Sequence, residues 1–509
     1  MPIGQAKTKR LTIRGWMALL GAIAILAAVV PFYFQGKHSP QASSATPGRV
    51  MLAVLPFDNL TGDAAQDYFS DGLTEEMITQ LGRLDPARLG VIARASVMTY
   101  QHRQEPIEQL GRELGVQYVL EGSVRRDATT VRITAQLIQV RDQTPLWARQ
   151  YDRELKDLLV LQDEIAREIS DEMQIALADN KPAAPAAQSP LTPQAYEAYN
   201  LYLQGEFFLN KRTVKGLNEA ISYFEQATAK DPNFARAYAG LADAYALMGG
   251  YSGIPQARFV QKARAAALRA LEIDETLPEA HTALALIVEN YDWDWQTAEK
   301  EYRRAIELNP NYATAHHWYA EYLNWRGRFD EALRESERAR ELDPLSLIIA
   351  TDNAAILYDS RQYDRAIEQF RYVLQMEPNF PRAGVIAEAY VQKGMFAEAI
   401  AFLENQTQID NAPRHLAYLA YVYGRSGRQA QAQHALDQLL VLSRQQDFDL
   451  MKLAWAYIGM GNKEQALACL EKAYSQHANG LTSLKVDPLY DPLRGEARFQ
   501  ALLQRVGLA

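Results

Sequence analysis

Residues 292–344 read DWDWQTAEKEYRRAIELNPNYATAHHWYAEYLNWRGRFDEALRESERARELDP, and the placing of small, large and turn residues in this stretch decides the fold of most of the chain. Ala298 and Ala332 are 34 positions apart, as are Pro310 and Pro344, and Pro378 follows at the same interval. Ala320 precedes Ala332 by 12 positions, with Gly327-Arg328 in the gap. A small residue, a glycine turn and a second small residue describe two antiparallel helices in close contact, because small side chains let helix axes approach. Working outward, the second helix of each unit carries Ala220, Ala263, Ala298, Ala332, Ala366, Ala399, Ala432 and Ala466, spaced 43, 35, 34, 34, 33, 33 and 34. The first helix carries Gly205, Ala242, Ala285, Ala320, Ala354, Ala387, Ala420 and Ala454. Turns recur at Gly394-Met395, Gly427-Arg428 and Gly461-Asn462, and Tyr245, Tyr302, Phe370 and Tyr457 are placed to fill the space between successive pairs.

A helix-turn-helix period of 34 residues with this pattern resembles the tetratricopeptide repeat (TPR), over eight units in residues 196–478. The resemblance implies an all-α solenoid. The first two units depart from the period: Gly205 to Ala220 spans 15 and Ala242 to Ala263 spans 21, so their inter-helix loops carry insertions, the larger around Tyr251-Ser252-Gly253. A stacked array exposes an apolar face at its last pair unless capped. Residues 479–509 fit that role, with breaks at Asp487-Pro488 and Asp491-Pro492 and an amphipathic helix through Phe499, Leu502, Leu503 and Val506. Such arrays recognise partners on the concave face, chiefly through the first helices. TPR register puts His317, Glu321, Asn324, Trp325, Tyr358, Asp359, Glu388, Gln392, Tyr421, Arg425 and Trp455 there, a mixed, aromatic groove suited to a protein or peptide partner. The Lys/Asn/Arg clamp with which some TPRs hold a C-terminal carboxylate is not supplied, since the corresponding positions are His317 with Glu321 and Thr351 with Ala355.

At the other end, Trp16 to Phe34 is an uncharged apolar run of 19 residues. At about 1.5 Å per residue it matches a bilayer core of about 30 Å, so it is expected to be a transmembrane signal-anchor. Four basic residues precede it, in the short N-terminus 1–15, and only Lys37 follows closely, which places that terminus in the cytosol and the bulk of the chain in the periplasm, as a single-pass inner (cytoplasmic) membrane protein. A cleavable signal peptide, with Ser43-Ser44-Ala45 as the nearest small-residue site, is the rival reading, although the run exceeds the usual ~7–15-residue core. Residues 1–49 hold six Lys or Arg and no acid while the chain is −9 overall, so the remainder is near −15 and an unlikely partner for nucleic acid. The one cysteine, Cys469, excludes an intramolecular disulfide and a multi-cysteine metal site. Residues 35–48 read as a polar tether, and 179–195, with Pro182, Pro185, Pro190 and Pro193, as a proline-rich linker.

Between tether and linker, residues 49–178 alternate strand and helix patterns. Val50–Leu55 is an apolar run fit for a strand buried on both faces. Phe69, Leu73, Met77, Leu81 and Leu84 mark a helix, Gly90–Ala93 a strand and Pro106–Leu114 a helix. Tyr118–Arg125 and Val131–Val140 form a hairpin, Leu146–Tyr151 a further strand and Leu158–Leu177 a helix, giving a small α/β domain. The phrases AVLPFDNLTGDAAQDYFSDGLTEEMITQL, VIAR, ELGVQYVLEGSVRR and QYDRELKDLLVLQDEIA are similar to the TolB N-terminal-like (FlgO-like) domain. That resemblance implies a sensory or partner-binding module without catalytic residues, of the kind found in CadC- or HilA-like regulators and adenylate cyclase-like receptors. Asp71, Glu75 and Glu76 are read as favouring a helix dipole, and Gly122 as a close backbone approach.

No GxGxxG, Walker A, GxSxG or HExxH pattern occurs, so no catalytic residue, cofactor or metal is assigned. Asp292-Trp293-Asp294-Trp295 reads as an anchored turn, His316-His317 lacks an apparent third ligand, and Cys469 packs mid-helix. The expected function is a non-enzymatic, membrane-anchored interaction scaffold or sensor, its oligomeric state open. The alternative is the sensor component of a CadC-like regulator or adenylate cyclase-like system whose output domain is absent from this chain. A winged-helix head would need far more than the 15 residues before the apolar run.

Overall fold

The computed structural model describes residues 49–101, 103, 105–173, 190–251, 256–409, 412–444, 448–478 and 480–509. The chain first forms β1 (Val50–Val54), β2 (Asp58–Asn59), α1 (Asp67–Leu84), β3 (Leu89–Val91), α2 (Arg94–Val97), α3 (Ile107–Leu114), β4 (Tyr118–Arg126), β5 (Thr130–Gln139), β6 (Thr144–Glu154) and α4 (Leu158–Glu172). β1 lies between parallel neighbours β3 and β4, a position that buries both strand faces. Leu52 and Val54 join Phe69, Leu73, Met77 and Leu81 of α1 and Leu161, Ile165 and Ile169 of α4 in one core. Met51 and Ala53, on the opposite face, join Leu110 and Leu114 of α3 and Val119 in another. β4, β5 and β6 complete an antiparallel meander, for a sheet order β3-β1-β4-β5-β6 with β2 beside β4. Gly122 is the close approach its sequence implied: a Cβ there would stand 2.4 Å from the Thr134 carbonyl oxygen and 2.6 Å from the Phe57 ring. β2 and α2 are too short to register as a hydrophobic period.

The repeats follow as sixteen helices in eight antiparallel pairs among the described residues. Their first helices are α5 (Pro193–Leu209), α7 (Ala235–Tyr251), α9 (Pro278–Ile287), α11 (Ala313–Trp325), α13 (Leu347–Asp359), α15 (Ile386–Gln392), α17 (Pro413–Arg425) and α19 (Met451–Gly459). The second helices are α6 (Val214–Lys230), α8 (Val260–Ile273), α10 (Trp295–Leu308), α12 (Phe329–Leu342), α14 (Tyr363–Met376), α16 (Phe396–Ile409), α18 (Gln429–Leu442) and α20 (Lys463–Ser475). Thr192, Thr213, Asp294 and Asn462 cap helix N-termini through their side-chain oxygens. The small residues read from the sequence are buried throughout, with Ala242, Ala263, Ala298, Ala354, Ala366, Ala420 and Ala466 fully so. Gly327, Gly394, Gly427 and Gly461 adopt φ of 72° to 79° in the tight turns. In the fifth pair the same turn is made by Arg361, at φ 65°.

After α20 the chain takes two short 3₁₀ segments, Leu481–Ser483 and Pro488–Leu493, and ends in α21 (Ala497–Arg505). Leu484, Leu489, Tyr490, Leu493 and Phe499 are buried against the solenoid.

Among the described residues no helix is long and apolar enough to cross a membrane. The longest, α1, carries Asp67, Asp71, Glu75, Glu76 and Arg83. This corrects the membrane-anchored fold class and the inner-membrane, periplasmic placement. The run they rested on, residues 16–34, lies outside the described residues, as do the tether and most of the proline-rich linker.

Candidate functional site

Most of the groove residues fall into two groups. His317 and Glu321 are one turn apart on α11, and Asp352 of α13 comes beside them. His317 Nε2 is 2.7 Å from Asp352 Oδ2, and one ligand atom from each of the three lies within 4.8 Å of the others. His317 thus gains an acidic neighbour from the next repeat, while His316 stands outside the group. A guanidinium already sits there: Arg382 Nη2 is 2.7 Å from Asp352 and 3.0 Å from Glu321. Burial raises the Glu321 carboxyl, and Asp352 adds to it. Burial also acts on Asp352, but Arg382 and His317 hold that carboxyl below its ordinary value. The neighbouring His316 faces inward to Glu335 at 2.6 Å.

The second group, Asn324, Tyr358, Asp359, Glu388, Tyr421, Arg425 and Trp455, lies at or beside a surface covered by the chain's own C-terminal segment; Trp325 and Gln392, at the ends of α11 and α15, belong to neither group and are partly exposed. Arg361 donates to the Val486 carbonyl and pairs with Asp491 at 2.9 Å. The Tyr358 hydroxyl is 3.0 Å from Glu388 and 3.4 Å from Asp487. Trp455 Nε1 donates to the Tyr490 hydroxyl at 2.8 Å and its ring stacks on Tyr418. Asn324 donates to Asp359 at 2.6 Å, and Arg425 lies over the Tyr421 ring. Burial raises the carboxyls of Asp359, Glu388 and Asp487, the last to about 6, and Asp487 further raises the other two. Trp325 and Glu321 are partly exposed, whereas Tyr358 and Tyr421 are buried.

The end of the eighth repeat and the last residues of the segment both meet the third repeat. His477 stacks on Tyr291 and Trp293, Trp293 stacks on Tyr474, Trp295 Nε1 donates to the Val506 carbonyl at 2.7 Å, and Arg326 donates to that of Gly507. The DWDW turn is thus a turn, as read, and also the point where the end of the chain is fastened. No local sequence signal marks that pairing, because it joins the third repeat to the end of the eighth, 186 positions along the chain.

The α/β domain docks along the edge formed by the connections between repeats. Asn311 donates to the carbonyls of Gly82 and Leu89 at 2.7 and 3.0 Å. Ser96 donates to Asp343, accepts from the Leu345 amide at 2.9 Å, and the Ala93 amide donates to the Leu342 carbonyl. Arg236 grips Glu76 through both guanidinium nitrogens. Arg126 bridges Tyr68 and Asn200. Asp71 and Glu75 pair with Arg94 at 3.1 and 3.4 Å. These three carboxylates lie beyond the first turn of α1, where the dipole is weak; they hold interfaces instead. Glu206 and Asp243, inside the first two pairs, are pushed up by burial to about 8 and about 7.

The comparisons agree with this architecture. The family model for the HilA/YgeH-like transcriptional regulator, second domain, matches residues 48–168, so the small domain carries that likeness. Tetratricopeptide-repeat models match residues 294–346, 357–420 and 450–480. A Rhizobium meliloti (strain 1021) protein named "Putative adenylate cyclase 3" is 36% identical over 243 residues, 47% of this chain and 40% of its own length. The transcriptional regulator HilA of Salmonella typhimurium is 27% identical over 167 residues, 33% of this chain and 30% of its own. The matches thus span well under half of either relative. Among solved structures, Pseudomonas aeruginosa PilF is 23% identical, covering 40% of this chain and 91% of its own, at a TM-score of 0.32.

Proposed function

We propose that this chain is a non-enzymatic protein-interaction scaffold in which the HilA-like α/β domain and the TPR solenoid work as one body. The observation that supports this reading is the docking of the α/β domain through buried polar side chains, Asn311, Ser96 and the Glu76–Arg236 pair. Buried polar contacts fix one relative placement, because any other leaves desolvated groups unpaired. A partner then meets a composite surface rather than two tethered modules. Trp325 and Glu321, partly exposed, and Arg382, exposed, stand together away from the C-terminal segment and are the candidate contacts.

A second reading, the sensor part of a HilA-like regulator or a cyclase-like signalling system, is favoured by the names of the relatives matched along these stretches. Crosslinked capture with the full chain as bait tests the first. A defined protein should be recovered, and its yield should fall at least tenfold with Trp325→Ala combined with Arg382→Ala, the fold being checked by circular dichroism. Unchanged recovery, or general chaperones alone, would overturn the reading. Cyclic AMP formed from ATP by the purified chain would overturn its non-enzymatic part.

A further inference from the structure

We propose that the concave surface of α13 to α19 is a docking site for an extended protein segment of Asp-Pro-aliphatic-aromatic composition, and that residues 484–494 are a copy of that ligand held in cis and exchangeable. The proposal rests on the scaffold reading above and names the chemistry of the partner.

The cis segment is held as a ligand is held. Arg361 takes a main-chain carbonyl and a carboxylate, Trp455 takes the phenol of Tyr490, and Leu489 and Leu493 are buried. An arginine fork and aromatic anchors are typical recognition elements. They differ from the small-residue packing that joins one repeat to the next. The segment also shapes itself: Asp487-Pro488-Leu489 and Asp491-Pro492-Leu493 repeat one short pattern, and Asp487 accepts from the Leu489 amide at 2.8 Å. A turn formed by its own residues needs little ordering on binding.

Strain stands beside the segment. Among the described residues five non-glycines have positive φ; of these, Arg361 grips the segment itself, and Trp293 and His477 stack on each other where the end of the eighth repeat, from which the segment departs, is pinned to the third. Such a conformation is disfavoured for an L-residue, whose Cβ crowds the following carbonyl. Gly327, Gly394, Gly427 and Gly461 make equivalent turns without that cost. The fit in cis is also incomplete. The buried Tyr421 hydroxyl and Asn324 Oδ1 have no hydrogen-bond partner among the described residues, and Asp487 faces Asp359 and Glu388. A partner segment that supplies an acceptor to Tyr421 and a donor to Asn324 would outcompete the cis copy.

The test uses a fluorescent synthetic peptide of residues 483–496 and the full chain, alone and with Trp293→Ala plus His477→Ala, which loosen the fastening outside the groove. Anisotropy should show the variant binding the peptide at least tenfold more tightly than the unaltered chain, and Tyr490→Ala in the peptide should weaken binding at least tenfold. Native-state hydrogen exchange of the unaltered chain, which needs no variant to fold, should show the amides of 484–494 opening well below global unfolding. Exchange of those amides only with global unfolding would overturn the proposal, as would peptide binding indifferent to both changes. A concentration-dependent dimer with swapped tails would reassign the site to a second copy and equally overturn it. Failure here leaves capture of a partner by Trp325 and Arg382 intact, so the two readings fail separately.

Discussion

Asp487 shows how one residue can serve structure and oppose it together. Its carboxylate caps the turn it begins, yet it is buried beside Glu388 and Asp359. Burial pushes its pKa from 3.8 up to about 6. A carboxyl whose pKa is raised by folding contributes most below its unfolded value and loses that contribution as pH rises through the folded one. The window is therefore pH 4 to 6, and above it the charged form weakens the tail contact. Asp487→Asn keeps an acceptor for the Leu489 amide and removes the charge. It is expected to stabilise the chain relative to the unaltered protein by up to about 3 kcal/mol at pH 8 and by nothing measurable at pH 4. Thermal melts at the two pH values decide this; equal effects at both would show that the carboxylate is well solvated.

At the scale of elements, α17 and α19 cross at two glycines. A Cβ on Gly459 would stand 2.3 Å from Tyr421 Cα, and one on Gly424 would stand 2.4 Å from the Gly459 carbonyl oxygen. The obstacles are backbone, which cannot rotate aside. Gly459→Ala should therefore push the last pair away and cost about 2–3 kcal/mol, read as a lower denaturation midpoint in urea, whereas Gly250→Ala, with nothing within 4 Å, should cost nothing. The sequence carries no mark of this crossing beyond the two glycines themselves. What it disclosed well were local features: the buried alanines and glycine turns that repeat in register, and the unbroken apolar run of β1. The site was less legible. The eleven groove positions were placed by register, but nothing local says that Tyr358 and Trp455 meet Asp487 and Tyr490, or that Arg361, standing where other repeats have glycine, spends its strained turn holding them. Asp71, Glu75 and Glu76 looked like helix-end charges because their partners, Arg94 and Arg236, come from other elements.

For the whole molecule the decisive question is whether the α/β domain and the repeats unfold together. A solenoid alone behaves as a string of nearest-neighbour units. Here a second domain spans several of them, because its contacts reach Asn200, Arg236, Asn311 and Asp343 in successive repeats. Asn311 is 8% exposed, and its side chain pairs with two main-chain carbonyls and with Arg49. Removing it leaves those groups desolvated and unpaired, at about 1–3 kcal/mol for a lost buried partner. Arg236→Ala strands the Glu76 carboxylate, 2% exposed, and although the Arg236 side chain is itself 31% exposed, leaving that buried charge unpaired costs about 1–3 kcal/mol. The two sites lie far apart along the edge and share no partner, so their effects should add. Scanning calorimetry of the unaltered chain should give one cooperative transition for both parts. Asn311→Ala with Arg236→Ala should split it, the α/β domain melting first, while Lys463→Ala, which removes an exposed pair with Glu496, should leave it single. Two transitions already present in the unaltered chain would mean that the interface does not couple the parts, and the composite surface proposed for partner binding would lose its physical basis.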